Sequence, residues 1–137
     1  LRSFFDERFS PDAPLLWAGD FNVAPEPIDV HDPGRLLGQV GFHPDEHRAL
    51  GRVKEWGFVD LFRKHRPGPN DYTFWDYPAR DSVARGLGWR VDHIWATRPL
   101  AELSVDAAID KAPRLAERPS DHTFIYADFE EWKGKGA

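Results

Sequence analysis

The sequence predicts a mixed α/β or α+β domain, because segments with strand and helix character alternate along the chain. Its 137 residues are 41% hydrophobic and 14% aromatic, which is enough for one domain with a packed core. Short apolar runs bounded by turn residues indicate strands, and a longer amphipathic stretch that begins near Pro44 indicates a helix. The pattern alone leaves the topology open.

The N-terminal part is expected to contain a helix, a strand and a long loop. Residues 1–9 carry apolar side chains at helical spacing, and the prolines of residues 10–14 end this helix in a turn. Residues 15–18 (Leu-Leu-Trp-Ala) form an apolar run that is typical of a buried strand. Residues 23–41 contain several prolines, which favours a loop.

Two helices are expected next. The first begins at Pro44 and Asp45, because proline is tolerated in a first helical turn and an acidic side chain there favours the helix dipole. Gly57 stands where a left-handed residue would end it. Residues 59–65 are predicted to form a second, short helix that stops before a Pro-Gly-Pro turn. The apolar stripe of the first helix consists of Ala49, Leu50, Val53 and Trp56.

The remainder of the chain is expected to consist mainly of strands. Aromatic and β-branched residues favour strands at residues 71–75, 89–96, 103–109 and 123–129. Polar loops are expected at residues 77–88 and 113–119, and residues 133–137 should fray.

The composition limits the classes of function. With no cysteine, disulfides and thiolate zinc sites are excluded. No apolar run reaches membrane-spanning length and no signal peptide is visible, so we expect a cytoplasmic protein without membrane contact. The net charge of −5 argues mildly against nucleic acid, but a metal site concentrates carboxylates and local charge matters more. The chain has no Met and opens inside an amphipathic pattern, so we expect a piece of a longer protein.

Acid, amide and imidazole side chains cluster at three strand ends. Asp20 and Asn22 follow the first strand, Asp92 lies in a later apolar strand, and Asp121 precedes His122. The first cluster is as typical of a turn as of a site, and the third can simply begin a strand. A buried carboxylate such as Asp92 needs a partner, and the sequence leaves open an arginine, a histidine or a metal ion.

Together these side chains suit phosphodiester hydrolysis, which requires charge neutralisation at the phosphate and an activated water. Mg²⁺ supplies the first requirement and is bound by few carboxylates and several waters. An amide such as Asn22 can bind a phosphate oxygen without adding charge, and an imidazole such as His122 can donate to a non-bridging oxygen. A carboxylate at the other ring nitrogen would orient the imidazole and raise its pKa.

Four motifs carry a family resemblance. They are residues 19–22 (Gly-Asp-Phe-Asn), 72–75 (Tyr-Thr-Phe-Trp), 88–92 (Gly-Trp-Arg-Val-Asp) and 118–122 (Arg-Pro-Ser-Asp-His). Their order and spacing resemble the C-terminal half of the exonuclease III family of abasic-site DNA repair nucleases. The resemblance implies one α/β (α+β) domain over residues 1–137. That domain would be the C-terminal half of a DNase I-like four-layer α/β sandwich, whose mostly antiparallel or mixed sheet is flanked by helices.

The resemblance also implies a catalytic set. Asp20 would handle the proton of the attacking water or of the leaving oxygen, and Asn22 would bind the phosphate and the water. His122 would contact the scissile phosphate, with Asp92 as its orienting partner. Asp121, together with Asp20, would lie at the metal, which would be Mg²⁺ with Mn²⁺ as an alternative.

A pocket for a flipped-out abasic sugar is implied at Phe74, Trp89 and Val91. Without the resemblance, ordinary core packing is the expected role of these side chains. Strict strand alternation places Trp89 and Val91 on the face opposite Asp92. A shared site therefore requires the strand to end, twist or bulge at this point.

Basic residues provide candidate contacts to the DNA backbone. Arg80 and Arg85 lie in the loop before the pocket strand and are predicted substrate-binding residues, with solvated surface charge as the alternative. For residues 63–66 (Arg-Lys-His-Arg), solvated surface charge is the favoured interpretation.

Part of the implied site has no counterpart before Asp20, namely a glutamate, an asparagine and a tyrosine from an N-terminal half. We therefore expect an inactive fragment with an exposed apolar sheet face that includes Trp17, Phe21 and alternate residues of 123–129. The full-length enzyme, a monomer, would cut 5′ to abasic sites and digest double-stranded DNA from 3′ ends. The alternatives are another DNase I-like phosphodiesterase, such as a phosphoinositide phosphatase or sphingomyelinase, and a non-catalytic DNA-binding fragment.

Overall fold

Helices and antiparallel strands alternate over residues 1–76 and 81–134, which the computed structural model describes. The helices are α1 Arg2–Arg8, α2 Pro33–Leu36, α3 Pro44–Gly57, α4 Leu61–His65, α5 Arg98–Ala101 and α6 Ala112–Leu115. The strands are β1 Leu16–Asp20, β2 Phe58–Asp60, β3 Phe74–Trp75, β4 Gly88–Trp89, β5 Asp92–Thr97, β6 Ser104–Asp110 and β7 Phe124–Phe129. A 3₁₀ turn, Pro27–Asp29, precedes α2. Within these ranges, no helix combines the length and apolar character needed to cross a bilayer.

The described strands pair into small antiparallel sheets, in the orders β1-β5-β2, β3-β4 and β6-β7. The β1–β5 register places Asp20 opposite Asp92, and the β3–β4 register places Phe74 opposite Trp89. The predicted mixture of helices with mostly antiparallel strands is confirmed. The registers bring candidate site residues from distant parts of the sequence to adjacent strand ends.

Three apolar clusters form the core. The first lies between α1, α3 and the β1-β5-β2 sheet, the second between α4 and the β6-β7 sheet, and the third beneath the loop that contains α2. Trp17 and Phe21 stack at 3.9 Å and pack on the first cluster as partly buried side chains, so the expectation that they are exposed is met only in part. On β7, Phe124 and Tyr126 are 68% and 46% exposed, as expected for alternate residues of that strand.

Helix α3 forms where the sequence predicts it. Pro44 occupies its first turn, and Nδ1 of His43 accepts a hydrogen bond from the Asp45 N–H at 3.0 Å. This contact satisfies one of the unpaired amides at the helix start. Gly57 ends the helix with a φ of +151°. Val53 and Trp56 bury the apolar stripe against α1 and the sheet.

Several short elements differ from the prediction. Residues 59–60 belong to β2, so the predicted helix at residues 59–65 begins only at Leu61. The predicted strand at residues 71–75 is reduced to Phe74–Trp75. The strand expected at residues 89–96 is broken into β4 and β5. Short helical turns also lie in the predicted loops, because elements of one turn are stabilised by tertiary contacts more than by local propensity.

Candidate active site

A tight turn after β1 presents the first two candidate residues. The Asn22 N–H donates to Oδ1 of Asp20 at 2.8 Å, and Asn22 has a φ of +54°, which asparagine tolerates better than most residues. The Phe21 N–H donates to the carbonyl of Val91 at 2.9 Å, which fastens the turn to the chain before β5. The turn and site interpretations are therefore compatible, because the turn fixes where both side chains lie.

His122 lies between two carboxylates. Its Nδ1 donates to Oδ2 of Asp92 at 2.8 Å, and its Nε2 lies 3.8 Å from Oδ2 of Asp20. The Asp92 side chain is 16% exposed and the His122 side chain 31%, so the pair is partly shielded from water. The partner of Asp92, which the sequence leaves open, is therefore a histidine.

The surroundings of His122 favour its protonated form. Burial lowers the pKa of His122, but the hydrogen bond and charge of Asp92 raise it, as do the charges of Asp20 and Asp121. The net result is a pKa above the ordinary value for histidine. A protonated ring carries a second N–H at Nε2, on the side of Asp20.

A break between β4 and β5 resolves the conflict with strand alternation. The hydroxyl of Thr73 accepts hydrogen bonds from the N–H groups of both Val91 and Asp92, at 3.0 and 3.1 Å. Two consecutive amides that share one acceptor cannot both continue a regular ladder. The chain therefore bends, so that Trp89 and Val91 line a cavity while Asp92 contacts His122. Thr73 is fully buried, and the sequence analysis did not identify it as a site residue.

A cavity of about 370 Å³ opens beside His122. The three predicted pocket residues, Phe74, Trp89 and Val91, line it together with Asn22. Phe74 also packs on the His122 ring at a centroid distance of 5.1 Å. The cavity lining that the sequence analysis missed consists of Gln39, Val40, Gly41 and Asp76.

Ligand atoms suitable for a cation lie at the same place. Asp20, Asp92 and His122 each have one ligand atom within 4.8 Å of those of the other two, and residues 1–76 and 81–134 contain no other such group of three acidic, histidine or cysteine side chains. Carboxylate oxygens fit a hard cation such as Mg²⁺ or Mn²⁺. Asp121 is outside this group, although its charge acts on His122.

Comparison with known proteins places this arrangement in a family. The family model described as endonuclease/exonuclease/phosphatase matches residues 1–122. The chain belongs to the endonuclease/exonuclease/phosphatase family. The resemblance that the four motifs indicate is thereby confirmed.

Three similar proteins are named as an exodeoxyribonuclease, an AP endonuclease and a 3′ phosphatase. The chain is 33% identical to exodeoxyribonuclease III of Haemophilus influenzae over 136 residues, which are 94% of this chain and 51% of the relative. It matches an AP endonuclease of Archaeoglobus fulgidus with 47% identity and a TM-score of 0.91, over 95% of this chain and 51% of that structure. A Neisseria 3′ phosphatase, NExo, bound to a product DNA hairpin matches with 30% identity, a TM-score of 0.84 and coverage of 95% and 49%. The chain thus spans about half the length of these relatives.

The predicted basic contacts of this family member fall into different environments. Arg80 lies outside the described residues, as do residues 77–79 of the same loop and 135–137 of the predicted tail. Arg85 is exposed in the turn that precedes β4, and it does not line the cavity. Its role as a substrate contact stays a prediction.

The favoured interpretation of residues 63–66 as solvated surface charge is contradicted at Arg63, whereas Lys64 and Arg66 are exposed but also bind other segments. Arg63 forms an ion pair with the buried Asp29, and its side chain is only 15% exposed. Lys64 donates to the carbonyl of Ala101 at 2.6 Å. The run therefore binds other segments of the domain, which the sequence could not indicate because these partners are more than thirty residues away.

His93 is a buried neutral histidine next to the site. It is fully buried; its Nε2 donates to the Val23 carbonyl at 2.9 Å and its Nδ1 accepts from Arg90 at 3.2 Å. Burial, and then the charge of Arg90, lower the pKa of His93 to about 4. The prediction that His93 is a packing residue is confirmed, and its hydrogen bonds also fix the carbonyl after Asn22.

We expect His93 to make the fold acid-labile. Between pH 6.5 and 4 the unfolded chain binds a proton that folded His93 does not, so stability falls as pH falls through this window. The loss attributable to this one group is about 3 kcal/mol. Urea unfolding gives the free energy of unfolding of the wild type and of His93→Gln at several pH values. The contribution of His93 is the difference between the two slopes of this free energy against pH. Parallel stability profiles for the two proteins would contradict a neutral His93.

Proposed function

We propose that this chain supplies the proton-transfer, phosphate-binding and sugar-binding part of a metal-dependent DNA repair phosphodiesterase of the exodeoxyribonuclease III and AP endonuclease type. The enzyme cleaves duplex DNA 5′ to abasic sites and removes nucleotides from 3′ ends. The observation that carries the proposal is the position of the apolar cavity. It opens directly beside His122 and Asn22, so a group held in the cavity is adjacent to the polar residues.

His122 and Asp20 have different roles at the phosphate. Nε2 of His122 and Oδ2 of Asp20 are 3.8 Å apart, too far for a direct hydrogen bond but suitable for two groups that contact the same phosphate or water. His122 donates from Nε2 to a non-bridging oxygen as negative charge develops. Asp20 accepts the proton of the attacking water or transfers a proton to the leaving oxygen.

Asn22 and Asp92 orient these groups. The carboxamide of Asn22 lines the cavity and is positioned by the turn, so it can bind a phosphate oxygen without adding charge. Asp92 holds the His122 ring through Nδ1, which directs Nε2 towards the substrate. A fixed ring orientation reduces the rearrangement needed to reach the transition state.

The cavity suits a small sugar that lacks its base. A flipped deoxyribose is selected by walls that exclude anything larger, and aromatic side chains provide such walls. Phe74 and Trp89 face each other across the β3–β4 pair, and Val91 lies after the chain bend. Phe74 and Trp89 are only partly buried at an open cavity, which supports a pocket role for them, whereas Val91 also belongs to the third core cluster.

A divalent cation completes the proposed chemistry. We assign Asp20 and Asp121 as ligands of Mg²⁺ or Mn²⁺. Any further protein ligands would come from residues other than Asp20, Asp92, Asp121 and His122. When bound, the ion neutralises charge on the phosphate. Asp20 offers carboxylate oxygens at this place, whereas Asp121 lies outside the group of Asp20, Asp92 and His122, so its assignment rests on the family resemblance.

The direct test uses the protein expressed in full from its gene. It is incubated with Mg²⁺ and duplex DNA that contains one tetrahydrofuran abasic analogue, and separately with a phosphoinositide and with sphingomyelin. We expect incision 5′ to the analogue, no hydrolysis of either lipid, and loss of incision in EDTA. Hydrolysis of a lipid substrate without incision would replace the proposal by the phosphodiesterase alternative. DNA binding without any hydrolysis would support the non-catalytic one.

Gly41 is expected to set the width of the cavity. A Cβ at Gly41 would lie 3.3 Å from Cζ3 of Trp89 and 3.2 Å from the Asn22 carbonyl, at a φ of +91°. Gly41→Val should therefore intrude on the sugar site and lower kcat/KM for the abasic duplex by about 10- to 100-fold. Incision assays at varied DNA concentration measure the effect.

Gly38→Val is the matched control. Gly38 has a similar φ of +95°, but a Cβ there meets no atom within 4 Å. Its variant carries the same kind of backbone strain without occupying the cavity, so its kcat/KM should stay close to that of the wild type. Equal losses in both variants would assign the effect to strain and not to the cavity.

A further inference from the structure

A buried network of charges lies behind the cavity. Arg90 is fully buried; its Nε donates to Asp29 at 2.7 Å and its Nη1 and Nη2 donate to Asp60 at 3.1 and 2.7 Å. Arg63 also pairs with Asp29, so two arginines balance two aspartates. Buried ion pairs of this kind contribute little net stability, because desolvation offsets the attraction between the charges. Stability alone is therefore a weak explanation for the network.

Arg90 stands between the residues that form the cavity and the residue that holds His122. Its neighbours Trp89 and Val91 line the cavity, and Asp92 follows. The Arg90 N–H donates to the carbonyl of Asp29 at 2.8 Å, one of the two backbone hydrogen bonds of the antiparallel bridge between Val30 and Trp89. The side chain is thus anchored in the core at the point where the chain bends.

The same guanidinium reaches the turn that carries Asp20 and Asn22. Its Nη1 donates to Nδ1 of His93, and Nε2 of His93 donates to the carbonyl of Val23. Because Val23 follows Asn22 directly, this two-step connection restrains the end of the turn. A second restraint on the turn, from Phe21 to the carbonyl of Val91, starts from the residue after Arg90.

Asp29 connects Arg90 to the loop that forms the other wall of the cavity. Its Oδ2 accepts from the Glu26 N–H at 3.0 Å, and the next residue, Val30, pairs with Trp89. The loop that continues from Val30 supplies Gly41 and its neighbours to the cavity. Arg90 therefore contacts, directly or through one intermediate, the segments that form both walls and the segments that carry the polar residues.

We propose that Arg90 is a positioning residue, whose ion pairs with Asp29 and Asp60 hold the cavity and the Asp92–His122 pair in one geometry. The inference rests on the proposed function for its kinetic consequence. The guanidinium contacts two carboxylates and an imidazole at once, which a lysine ammonium cannot reproduce because it lacks the planar fork. Small displacements of reacting groups are costly in rate, so the effect of losing this geometry should fall mainly on kcat.

The test compares Arg90→Lys with Asp60→Asn and Phe5→Leu in the protein expressed in full from its gene. Phe5 is buried in the first core cluster, where its ring packs on Trp56 and Phe58, neither of which belongs to the network, so its variant controls for general destabilisation. All assays are made at a temperature where circular dichroism shows each variant folded. We expect kcat for abasic incision to fall about 10- to 100-fold in Arg90→Lys, with KM changed far less. Asp60→Asn retains the shape and one acceptor, so it should show a smaller loss of the same kind.

A second readout does not depend on activity. The Nδ1 proton of His122, hydrogen-bonded to Asp92, gives a downfield NMR resonance that should shift or disappear in Arg90→Lys and persist in Phe5→Leu. If Arg90→Lys does not fold, the same comparison is made with Asp60→Asn. An unchanged resonance and unchanged kcat in the folded network variants would overturn the positioning role, as would an equal loss of kcat in Phe5→Leu. A wild-type protein that cleaves no DNA would instead overturn the proposed function, while the resonance comparison still decides the positioning role.

Discussion

Asp20→Asn is expected to slow the incision of abasic duplex DNA by orders of magnitude while DNA binding is retained. The amide cannot accept a proton from water, and loss of a general base lowers kcat by about 10²- to 10⁴-fold. In the wild type the Asn22 N–H donates to Oδ1 of Asp20. The amide oxygen of the substituted side chain can accept the same hydrogen bond, so the shape of the turn is preserved. Single-turnover incision and fluorescence anisotropy with the same duplex measure chemistry and binding separately.

Two further variants make this result specific. Asp12→Asn removes an exposed carboxylate from the turn before β1 and should leave incision unchanged. Asp121→Asn should raise the Mg²⁺ concentration needed for half-maximal incision, because we assign that carboxylate to the ion. Wild-type incision by Asp20→Asn would refute its role in proton transfer. A rate restored by excess Mg²⁺ would reassign Asp20 to ion binding alone.

The longer elements of the fold could be predicted because their determinants are local. Helix α3 has its proline start, its apolar stripe and its glycine end within residues 44–57. β1 follows from a continuous apolar run, but the prediction that this strand is buried is wrong, because only Trp17 along it is partly buried and Leu16 is 50% exposed. The one-turn helices and the two-residue strands β3 and β4 have no such local pattern. They exist because distant residues supply their partners, as His122 does when it pairs with Phe74.

The site was predictable where residue type indicated chemistry. Carboxylates, an amide and a histidine at strand ends indicated Asp20, Asn22, Asp92, Asp121 and His122, and the structure brings all of these but Asp121 together. The site residues that could not be predicted are those whose role depends on contacts with distant residues. Thr73 resembles any strand threonine until its hydroxyl is seen to accept two amides.

The buried charges also could not be predicted, because their burial depends on distant residues. Asp29 lies in a proline-rich segment that the sequence describes only as a loop, and Arg63 lies in a basic run that looks solvated. Their ion pair joins positions 34 residues apart. Nothing in the local pattern of either segment indicates burial, since the apolar surface that excludes water comes from other elements.

Asp92→Asn carries the second large expected effect. Without the carboxylate, the charge of Asp92 no longer raises the pKa of His122, so this pKa falls relative to the wild type. The ring also loses the charged acceptor that fixes its orientation at 2.8 Å. We expect kcat for abasic incision to fall about 10- to 100-fold. Because a protonated ring donates from Nε2, the decline of incision at high pH should move to lower pH.

The Asp92–His122 pair can be tested by a double-mutant cycle. If Asp92 acts through His122, then His122→Ala should already remove the benefit of Asp92, and adding Asp92→Asn should lower kcat little further. Two independent residues would instead give multiplied losses. A strongly non-additive cycle, together with the shifted pH profile of the single Asp92→Asn variant, would identify one functional unit. Its Nδ1 side is then held by Asp92 and its Nε2 side is free for the phosphate beside Asp20.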